Sequence, residues 1–146
     1  MEWDDTSLRI TAPGRLGRIK SVRTMPYPGF PTDAQPSLMA AAGLGSGPSI
    51  FVETIFESRY KHVGELLRLG ANIKVEGRVA VVEGVPRLSG APVEAADLRG
   101  GAALVVAGLA ARGLTEVTGL RHIDRGYENL ERSLAQLGAD ICREYE

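Results

Sequence analysis

Cysteine, histidine and aromatic side chains are scarce in this chain, and neither sign of charge dominates. One cysteine, Cys142, and two widely separated histidines do not form an internal disulfide or a metal-ligand pattern. Aromatic residues make up 5% of the chain, and a formal net charge of -1 leaves no electrostatic footprint for nucleic acid. We therefore expect no metal site, no internal disulfide, no nucleophilic cysteine and no nucleic-acid partner.

Long apolar runs are absent as well. With 44% hydrophobic and 24% charged residues, the composition is that of a globular protein, and no stretch is long enough to span a bilayer. The acidic start, Met1 to Asp5, lacks the basic region and the apolar stretch of a secretory signal. These features predict a cytoplasmic protein with no membrane partner.

The most informative pattern that is present is an internal repeat. In each copy an aspartate, Asp33 or Asp97, opens an apolar helical segment, a short strand follows, and a second helix leads to closing strands near Ile73 and Ile141. The pattern predicts an α/β fold (α+β repeats) built from two helix-strand-helix-hairpin units. The predicted boundaries within 1–146 are a hairpin of a preceding repeat at 1–24 and repeat units at 25–88 and 89–146.

Helix boundaries are marked by polar residues and glycines. Asp33 and Asp97 are candidate N-caps, because their side-chain oxygens can accept hydrogen bonds from unpaired backbone N–H groups. Pro36 falls in the first turn after Asp33, where a helix tolerates proline. Gly70 and Gly138 follow the second helix of each copy, where a left-handed residue ends a helix most easily.

Two segments alternate apolar with polar residues as hairpins do. The stretch from Ile73 to Val81 alternates around Gly77. The stretch from Leu8 to Arg23 alternates with an interruption at Pro13-Gly14, and resembles the hairpin that ends a preceding copy. Since that copy is absent, we expect the chain to begin partway through a repeated architecture and to self-associate through the exposed repeat face.

Three arginines lie at or near predicted helix starts: Arg59, Arg99 and Arg125. The free N–H groups and partial positive charge of a helix start, together with planar guanidinium groups, favour an anion site. Structural ion pairing is the alternative interpretation of the same spacing. The neighbouring acids that could form such pairs are Asp97, Asp124, Glu57 and Glu128. Spacing does not decide between the two.

Four motifs that contain these residues occur in order: PYPGFPTDAQ, ETIFESRYKHVGEL, EGVPRLSGAPVEAADLR and HIDRGYENLE. With them, the chain from about Leu16 onward resembles the UDP-N-acetylglucosamine enolpyruvyl transferases (UDP-N-acetylglucosamine 1-carboxyvinyltransferases). The resemblance implies transfer of the enolpyruvyl group of phosphoenolpyruvate to the 3-hydroxyl of UDP-N-acetylglucosamine, with release of phosphate. That reaction is the first committed step of peptidoglycan synthesis, and no cofactor is implied.

The resemblance also implies a fold. Members of that family have two similar domains, each an inside-out α/β barrel of three repeated units, and the active site lies in the cleft between them. The two units found here resemble the last two units of one domain, with the third unit missing. This agrees with the truncated start that the repeat alone predicts.

Site residues are carried over motif by motif. Asp33 of FPTD resembles the carboxylate that contacts the accepting hydroxyl and is a candidate general base. Asp97 of ADLR resembles a cleft aspartate with a supporting catalytic role. The backbone around Ile55 and Phe56 resembles part of the contact with UDP-N-acetylglucosamine.

The arginines are carried over in the same way. Arg59 of ESRY, Arg99 of ADLR and Arg125 of DRGYE resemble the arginines that surround phosphoenolpyruvate. They would hold its phosphate and carboxylate and counter the charge that moves during addition, and Arg125 is thereby placed among the catalytic residues as well.

Other parts of that active site have no counterpart here. The family's loop cysteine, or the aspartate that replaces it, and a lysine and an asparagine belong to other parts of the full-length enzyme, and Cys142 lies outside any matching motif. The implied partners are therefore the two substrates and the remaining domain, and the isolated chain is expected to be inactive. The alternative is a non-catalytic module that binds a sugar nucleotide or a partner protein.

Overall fold

The computed structural model describes residues 2–12 and 14–145 of the chain. Pro13, part of the predicted interruption in the first hairpin, lies outside the described residues, as do Met1 and Glu146. Among the residues described, no helix is both long and apolar enough to cross a membrane.

Helices and strands alternate along the chain. The strands are β1 (Glu2–Trp3), β2 (Leu8–Arg9), β3 (Ser21–Arg23), β4 (Ser49–Val52), β5 (Asn72–Glu76), β6 (Val79–Glu83), β7 (Leu88–Ser89), β8 (Pro92–Glu94), β9 (Ala111–Arg112) and β10 (Glu116–Thr118). The helices are α1 (Gln35–Ala42), α2 (Val63–Arg68), α3 (Leu98–Ala110), α4 (Arg121–Asp124) and α5 (Leu130–Gln136). A 3-10 turn, Thr32–Ala34, leads into α1.

The same β-α-β arrangement occurs twice. In the first, α1 connects β3 to β4, and the two strands pair in parallel. In the second, α3 connects β8 to β10, which also pair in parallel. The first arrangement belongs to a four-stranded sheet of order β3-β4-β6-β5, in which β6 pairs antiparallel with both of its neighbours. The predicted mixed α/β fold with repeats is confirmed.

The core lies between the sheet and the helices. Val22, Phe51 and Ala80 occupy facing positions on three adjacent strands, and their side chains are buried on one face. Met39 of α1 and Leu104 of α3 are 0% exposed. Because alternate residues of a strand point to opposite faces, this alternation fixes which side of the sheet the helices cover.

Several predicted boundaries are confirmed. The second helices end as expected, with Gly70 at φ 88° and Gly138 at φ 94°, and the hairpin from Ile73 to Val81 is formed by β5 and β6. Asp97 is the N-cap of α3, and its side chain accepts a hydrogen bond from the Gly100 N–H at 2.7 Å.

Two strand predictions are wrong. Leu8–Arg9 pairs with Glu2–Trp3, and Ser21–Arg23 pairs with β4, so the stretch from Leu8 to Arg23 is not one hairpin. The last strand expected near Ile141 is not formed either, because residues 139–145 have no pairing partner among the described residues. A strand requires a neighbour for its backbone hydrogen bonds.

The chain passes very close to itself where β6 ends. A Cβ atom at Gly84 would lie 1.9 Å from the carbonyl oxygen of Gly45, and the neighbouring Val85 N–H donates to the Gly43 carbonyl at 2.8 Å. Gly84→Ala is therefore expected to lower the free energy of unfolding by about 2 kcal/mol, because two backbone segments must move apart. Urea unfolding measures this change.

Gly64→Ala in α2 is the matched control, because nothing lies within 4 Å of the added Cβ. Alanine favours the helix there by about 0.5–1 kcal/mol. A Gly84→Ala variant as stable as the parent chain would contradict the close approach.

Candidate active site

The site is centred on the carboxylate of Asp33. Its Oδ1 accepts a hydrogen bond from Arg59 Nη2 at 2.8 Å, and its Oδ2 accepts one from Arg99 Nη2 at 2.9 Å. Asp33 lies in the 3-10 turn, Arg59 in the turn before α2, and Arg99 in the first turn of α3. One carboxylate therefore joins the first repeat to the second.

The predicted N-cap role of Asp33 is wrong. The N-cap position of the 3-10 turn is Pro31 and that of α1 is Ala34, and no side chain among the described residues caps either element. Asp33 lies two residues further on, within the turn, and both of its carboxylate oxygens bond to the arginines instead.

The loop before Asp33 is closed by its own backbone. Met25 N–H donates to the Phe30 carbonyl at 3.0 Å, and Gly29 N–H donates to the Pro26 carbonyl at 2.8 Å. Prolines restrict φ within this loop. The approach to Asp33 is thus set by the chain that precedes it.

Both arginines are backed by an aromatic ring. The Arg59 guanidinium lies 5.4 Å from the centroid of the Phe56 ring, and that of Arg99 lies 5.5 Å from the centroid of the Tyr127 ring. Arg99 Nη1 also donates to the Tyr127 hydroxyl at 2.8 Å. These contacts limit the movement of both cations. The Arg59 side chain is 15% exposed and that of Arg99 is 30% exposed, so a ligand can reach them.

The two cations keep Asp33 ionised. The hydrogen bond from Arg99 holds the pKa of Asp33 below its ordinary value, the positive charges of both arginines add to this effect, and partial burial opposes it. The pKa of Arg99 is raised by its hydrogen bond to Tyr127 and then by Asp33. At neutral pH the cluster therefore carries one negative and two positive charges.

The neighbouring acids expected in the ion-pair interpretation do not bond to these arginines. Among the residues described, Glu57 pairs with Arg78 at 3.4 Å and Asp124 with Arg143 at 2.6 Å. The Asp97 side chain is used as the N-cap of α3 and does not join the Asp33 cluster. The acid that pairs with both arginines is Asp33, which lies 26 positions from Arg59 and 66 from Arg99, so closeness in the sequence does not indicate it.

Asp97 and the first turn of α3 have a buried neighbour, His62. Its side chain is 3% exposed, and burial lowers the pKa of His62 to about 4 against the opposing charge of Asp97. The imidazole is therefore neutral at physiological pH. It adds no charge to the cluster.

Arg125 does not join the cluster. It is the C-cap of α4, exposed, and forms no side-chain hydrogen bond or ion pair with the described residues. Its expected position near a helix start is wrong, because α4 ends immediately before it and α5 begins only at Leu130. Its neighbours are anchored, since Asp124 pairs with Arg143 and Tyr127 bonds to Arg99.

The segment containing Ile55 and Phe56 is adjacent to the cluster. Both backbone N–H groups donate to Oε1 of Glu53, at 2.8 Å and 3.1 Å. The side chains remain accessible, with Ile55 37% and Phe56 50% exposed. The side chains of this turn are therefore accessible to a ligand, while its backbone is fixed by hydrogen bonds to the buried Glu53 carboxylate.

Two residues of the site, Tyr127 and Glu53, were missed by sequence reasoning. Tyr127 lies in the HIDRGYENLE motif and Glu53 in the ETIFESRYKH motif, so both stood in segments already singled out. Spacing alone did not distinguish them from surface residues. Within the described part of the chain, no group of three or more His, Cys, Asp or Glu side chains could hold a metal ion.

Known proteins similar to this chain are transferases. The chain is 59% identical over 140 residues to a UDP-N-acetylglucosamine 1-carboxyvinyltransferase of Anaeromyxobacter sp. (strain Fw109-5), covering 96% of the chain and 33% of that protein. It is 54% identical over 136 residues to UDP-N-acetylglucosamine 1-carboxyvinyltransferase 2 of Caldanaerobacter subterraneus subsp. tengcongensis, covering 93% of the chain and 33% of that protein. The chain thus spans about a third of the length of these curated relatives.

A solved structure and a family model extend the comparison. The enolpyruvyl transferase NikO from Streptomyces tendae superimposes with a TM-score of 0.79 at 33% sequence identity, covering 88% of this chain and 30% of that one. The family model that matches residues 1–134 describes EPSP synthase. On this match, the chain belongs to the EPSP synthase (3-phosphoshikimate 1-carboxyvinyltransferase) family.

Proposed function

We propose that this chain supplies one wall of the active site of a UDP-N-acetylglucosamine 1-carboxyvinyltransferase. The complete enzyme would transfer the enolpyruvyl group of phosphoenolpyruvate to the 3-hydroxyl of UDP-N-acetylglucosamine in the cytoplasm, at the first committed step of peptidoglycan synthesis. The observation that supports this most directly is the Asp33 carboxylate held between Arg59 and Arg99. The names of the curated relatives support the choice of substrates.

The reaction has two steps, and both move charge near the cluster. In the addition, the 3-hydroxyl oxygen bonds to C2 of phosphoenolpyruvate, loses its proton, and C3 gains a proton. In the elimination, C3 loses a proton and the bond from C2 to the phosphate oxygen breaks. Arg59 and Arg99 would hold the phosphate and carboxylate throughout, because guanidinium groups match the geometry of both anions. Arg125, which lies apart from them in the described chain, would join them only by moving toward the bound anion.

Asp33 would accept the proton of the 3-hydroxyl. Its lowered pKa makes it a weak base in the free protein. An anion that binds Arg59 and Arg99 would share their N–H donors and add negative charge beside the carboxylate, and both effects raise the pKa of Asp33. Binding of phosphoenolpyruvate would therefore make Asp33 a stronger base when the acceptor is in place.

Asp97, Ile55 and Phe56 complete the proposed wall. Asp97 would act by fixing the first turn of α3, through its cap bond to Gly100, and with it the position of Arg99. The turn at Ile55 and Phe56 would contact the sugar nucleotide through its accessible surface. No cofactor is part of this proposal.

The first prediction from the proposed function concerns turnover. We expect no phosphate release from phosphoenolpyruvate and UDP-N-acetylglucosamine by the chain alone, because the other wall of the cleft is needed for the reaction. A chimera in which the chain replaces the corresponding third of the Anaeromyxobacter transferase is expected to release phosphate only when both substrates are present. Colorimetric phosphate detection measures both outcomes.

The unmodified Anaeromyxobacter enzyme is the control for that chimera. A chimera that melts like this control but releases no phosphate would contradict the proposed function. Binding of UDP-N-acetylglucosamine without turnover would favour the alternative, a non-catalytic sugar-nucleotide module. Turnover by the chain alone would contradict the need for a second wall.

A second prediction concerns the base. In the chimera, Asp33→Asn is expected to lower kcat by roughly 100-fold or more, because an amide cannot accept the hydroxyl proton. Asp140→Asn is the matched control, since Asp140 is exposed and bonds to no described side chain. Steady-state rates compare the two. A kcat for Asp33→Asn close to that of the control would exclude Asp33 as the base.

A third prediction concerns self-association of the chain alone. Val106 and Leu109 lie three positions apart on α3 and are 39% and 43% exposed, which leaves an apolar strip uncovered. Light scattering is expected to show a mass that rises with concentration, and Leu109→Lys is expected to reduce the rise. Leu137→Lys, at a side chain 84% exposed on α5's C-cap, is the control. A monodisperse monomer at all concentrations would be the opposing result.

A further inference from the structure

A second carboxylate, that of Glu53, lies buried directly beneath the proposed substrate wall. Glu53 follows β4 and is 1% exposed. Its Oε1 accepts hydrogen bonds from the Thr24 hydroxyl at 2.9 Å, the Ile55 N–H at 2.8 Å and the Phe56 N–H at 3.1 Å. Its Oε2 accepts one from the Thr32 hydroxyl at 2.9 Å.

The four donors are all neutral. No lysine or arginine among residues 2–12 and 14–145 lies within ion-pair distance of this carboxylate. Burial raises the pKa of Glu53, but the N–H groups of Phe56 and Ile55 and the two threonine hydroxyls outweigh it and hold the pKa below its ordinary value. A buried charge is thus stabilised by converging dipoles, and their positions depend on it in turn.

The donors come from three separate segments. Thr24 immediately follows β3, Thr32 immediately precedes Asp33, and Ile55 and Phe56 form the turn after β4. The Thr24 hydroxyl also accepts from the Thr54 N–H at 2.9 Å. One carboxylate therefore fixes the distance between the residue before the proposed base and the turn proposed to contact the sugar nucleotide.

The second repeat shows that the fold does not require this network. The Thr24 N–H donates to the Val52 carbonyl at 3.0 Å in the first repeat, and the Ala95 N–H donates to the Thr118 carbonyl at 3.0 Å in the second. The same backbone hydrogen bond therefore follows the parallel strand pair in both repeats, although the chain then turns differently in the second, where Gly119 has φ 72°.

The side chains differ at those positions. Where the first repeat has Thr24 and Glu53, the second has Ala95 and Gly119, which have no polar side-chain atoms. The parallel pairing of β8 with β10 forms without a buried carboxylate. We therefore connect the network to features that only the first repeat has. These are Asp33 and the turn at 55–56, whose neighbouring groups bond to Glu53.

We propose that Glu53 is a positioning residue for the sugar nucleotide, which holds Asp33 and the Ile55–Phe56 turn at the spacing that the acceptor substrate requires. This inference rests on the proposed function. It assigns no contact between Glu53 and substrate, because the carboxylate is covered by the segments it organises. Within the described residues neither Arg59 nor Arg99 bonds to Glu53 itself, although Arg59 Nη2 donates to the Thr32 carbonyl at 3.2 Å.

The experiment uses Glu53→Gln in the chimera. The amide oxygen can replace Oε1 toward Thr24, Ile55 and Phe56, and the amide NH2 meets the Thr32 hydroxyl, which must reverse its hydrogen bond. Loss of one charge-assisted contact at this point is expected to raise the KM for UDP-N-acetylglucosamine roughly tenfold. The KM for phosphoenolpyruvate and the melting temperature are expected to stay near the parent values.

Two further variants sharpen the result. Thr32→Val removes the hydrogen bond that Glu53→Gln reverses, so the effects of the two variants should be less than additive when they are combined. Glu83→Gln is the matched control, because Glu83 is exposed at the end of β6 and has no side-chain bond to a described residue. It is expected to leave both KM values unchanged.

The possible outcomes separate the two proposals. Equal increases in both KM values, a fall in melting temperature alone, or no change in Glu53→Gln would each overturn the positioning role. A parent chimera that neither turns over nor binds UDP-N-acetylglucosamine by calorimetry would refute the proposed function, and the inference with it. Turnover by the parent with unaffected Glu53→Gln would remove the inference alone.

Discussion

The close packing of α3 against its neighbours is the constraint on which the site depends. A Cβ atom at Gly101 would lie 2.9 Å from the Ala95 Cβ and 2.7 Å from Ile123 Cγ1, so a glycine is what permits this approach. Arg99 belongs to the same helical turn, and the approach carries its guanidinium to 2.9 Å from Asp33, a residue 66 positions away. The packing of α3 against its neighbours thus helps to place Arg99 for an ion pair between the two repeats.

The pairing of Asp33 with two arginines does not prevent those arginines from binding an anion. A guanidinium has five N–H donors, and Asp33 uses one nitrogen of Arg59 and one of Arg99. Before any ligand binds, the carboxylate keeps the two like charges close together at a moderate electrostatic cost. From the spacing of the arginines in the sequence, ion pairing and anion binding were alternative interpretations. In the folded chain the same two arginines can pair with Asp33 and still have N–H groups left for an anion.

Local features of the sequence predicted local structure well. Helix ends at Gly70 and Gly138, the hairpin from β5 to β6, and the Asp97 cap follow from residues within a few positions of one another. Alternation identified Ser21–Arg23 as a strand but not its partner, because pairing with β4 is set by α1 and the packing of the sheet. Strand pairing depends on residues far apart in the sequence, and for this reason the hairpin predicted from Leu8 to Arg23 was wrong.

The sequence motifs predicted three of the four charged residues that were expected to meet at the site. Asp33, Arg59 and Arg99 meet, whereas Arg125 stays apart from them in the described chain. The role of Asp33 was misassigned because an aspartate before an apolar helix is most often a cap, and the intervening 3-10 turn shifts the cap position to Pro31. Tyr127 could not be recognised in advance, since its importance comes from Arg99, 28 positions earlier.

The two carboxylates of the first repeat show how environment separates their roles. Both have a pKa below the ordinary value, but the donors to Asp33 are charged, accessible and able to turn toward an anion. The donors to Glu53 are backbone N–H groups and buried or partly buried hydroxyls, which donate to no other acceptor among the described residues. A ligand can therefore change the proton affinity of Asp33, while that of Glu53 is fixed by the fold. Asp33, whose pKa can respond to a bound substrate, is therefore suited to proton transfer. Glu53, whose pKa is set by the fold, is suited to supporting the segments above it.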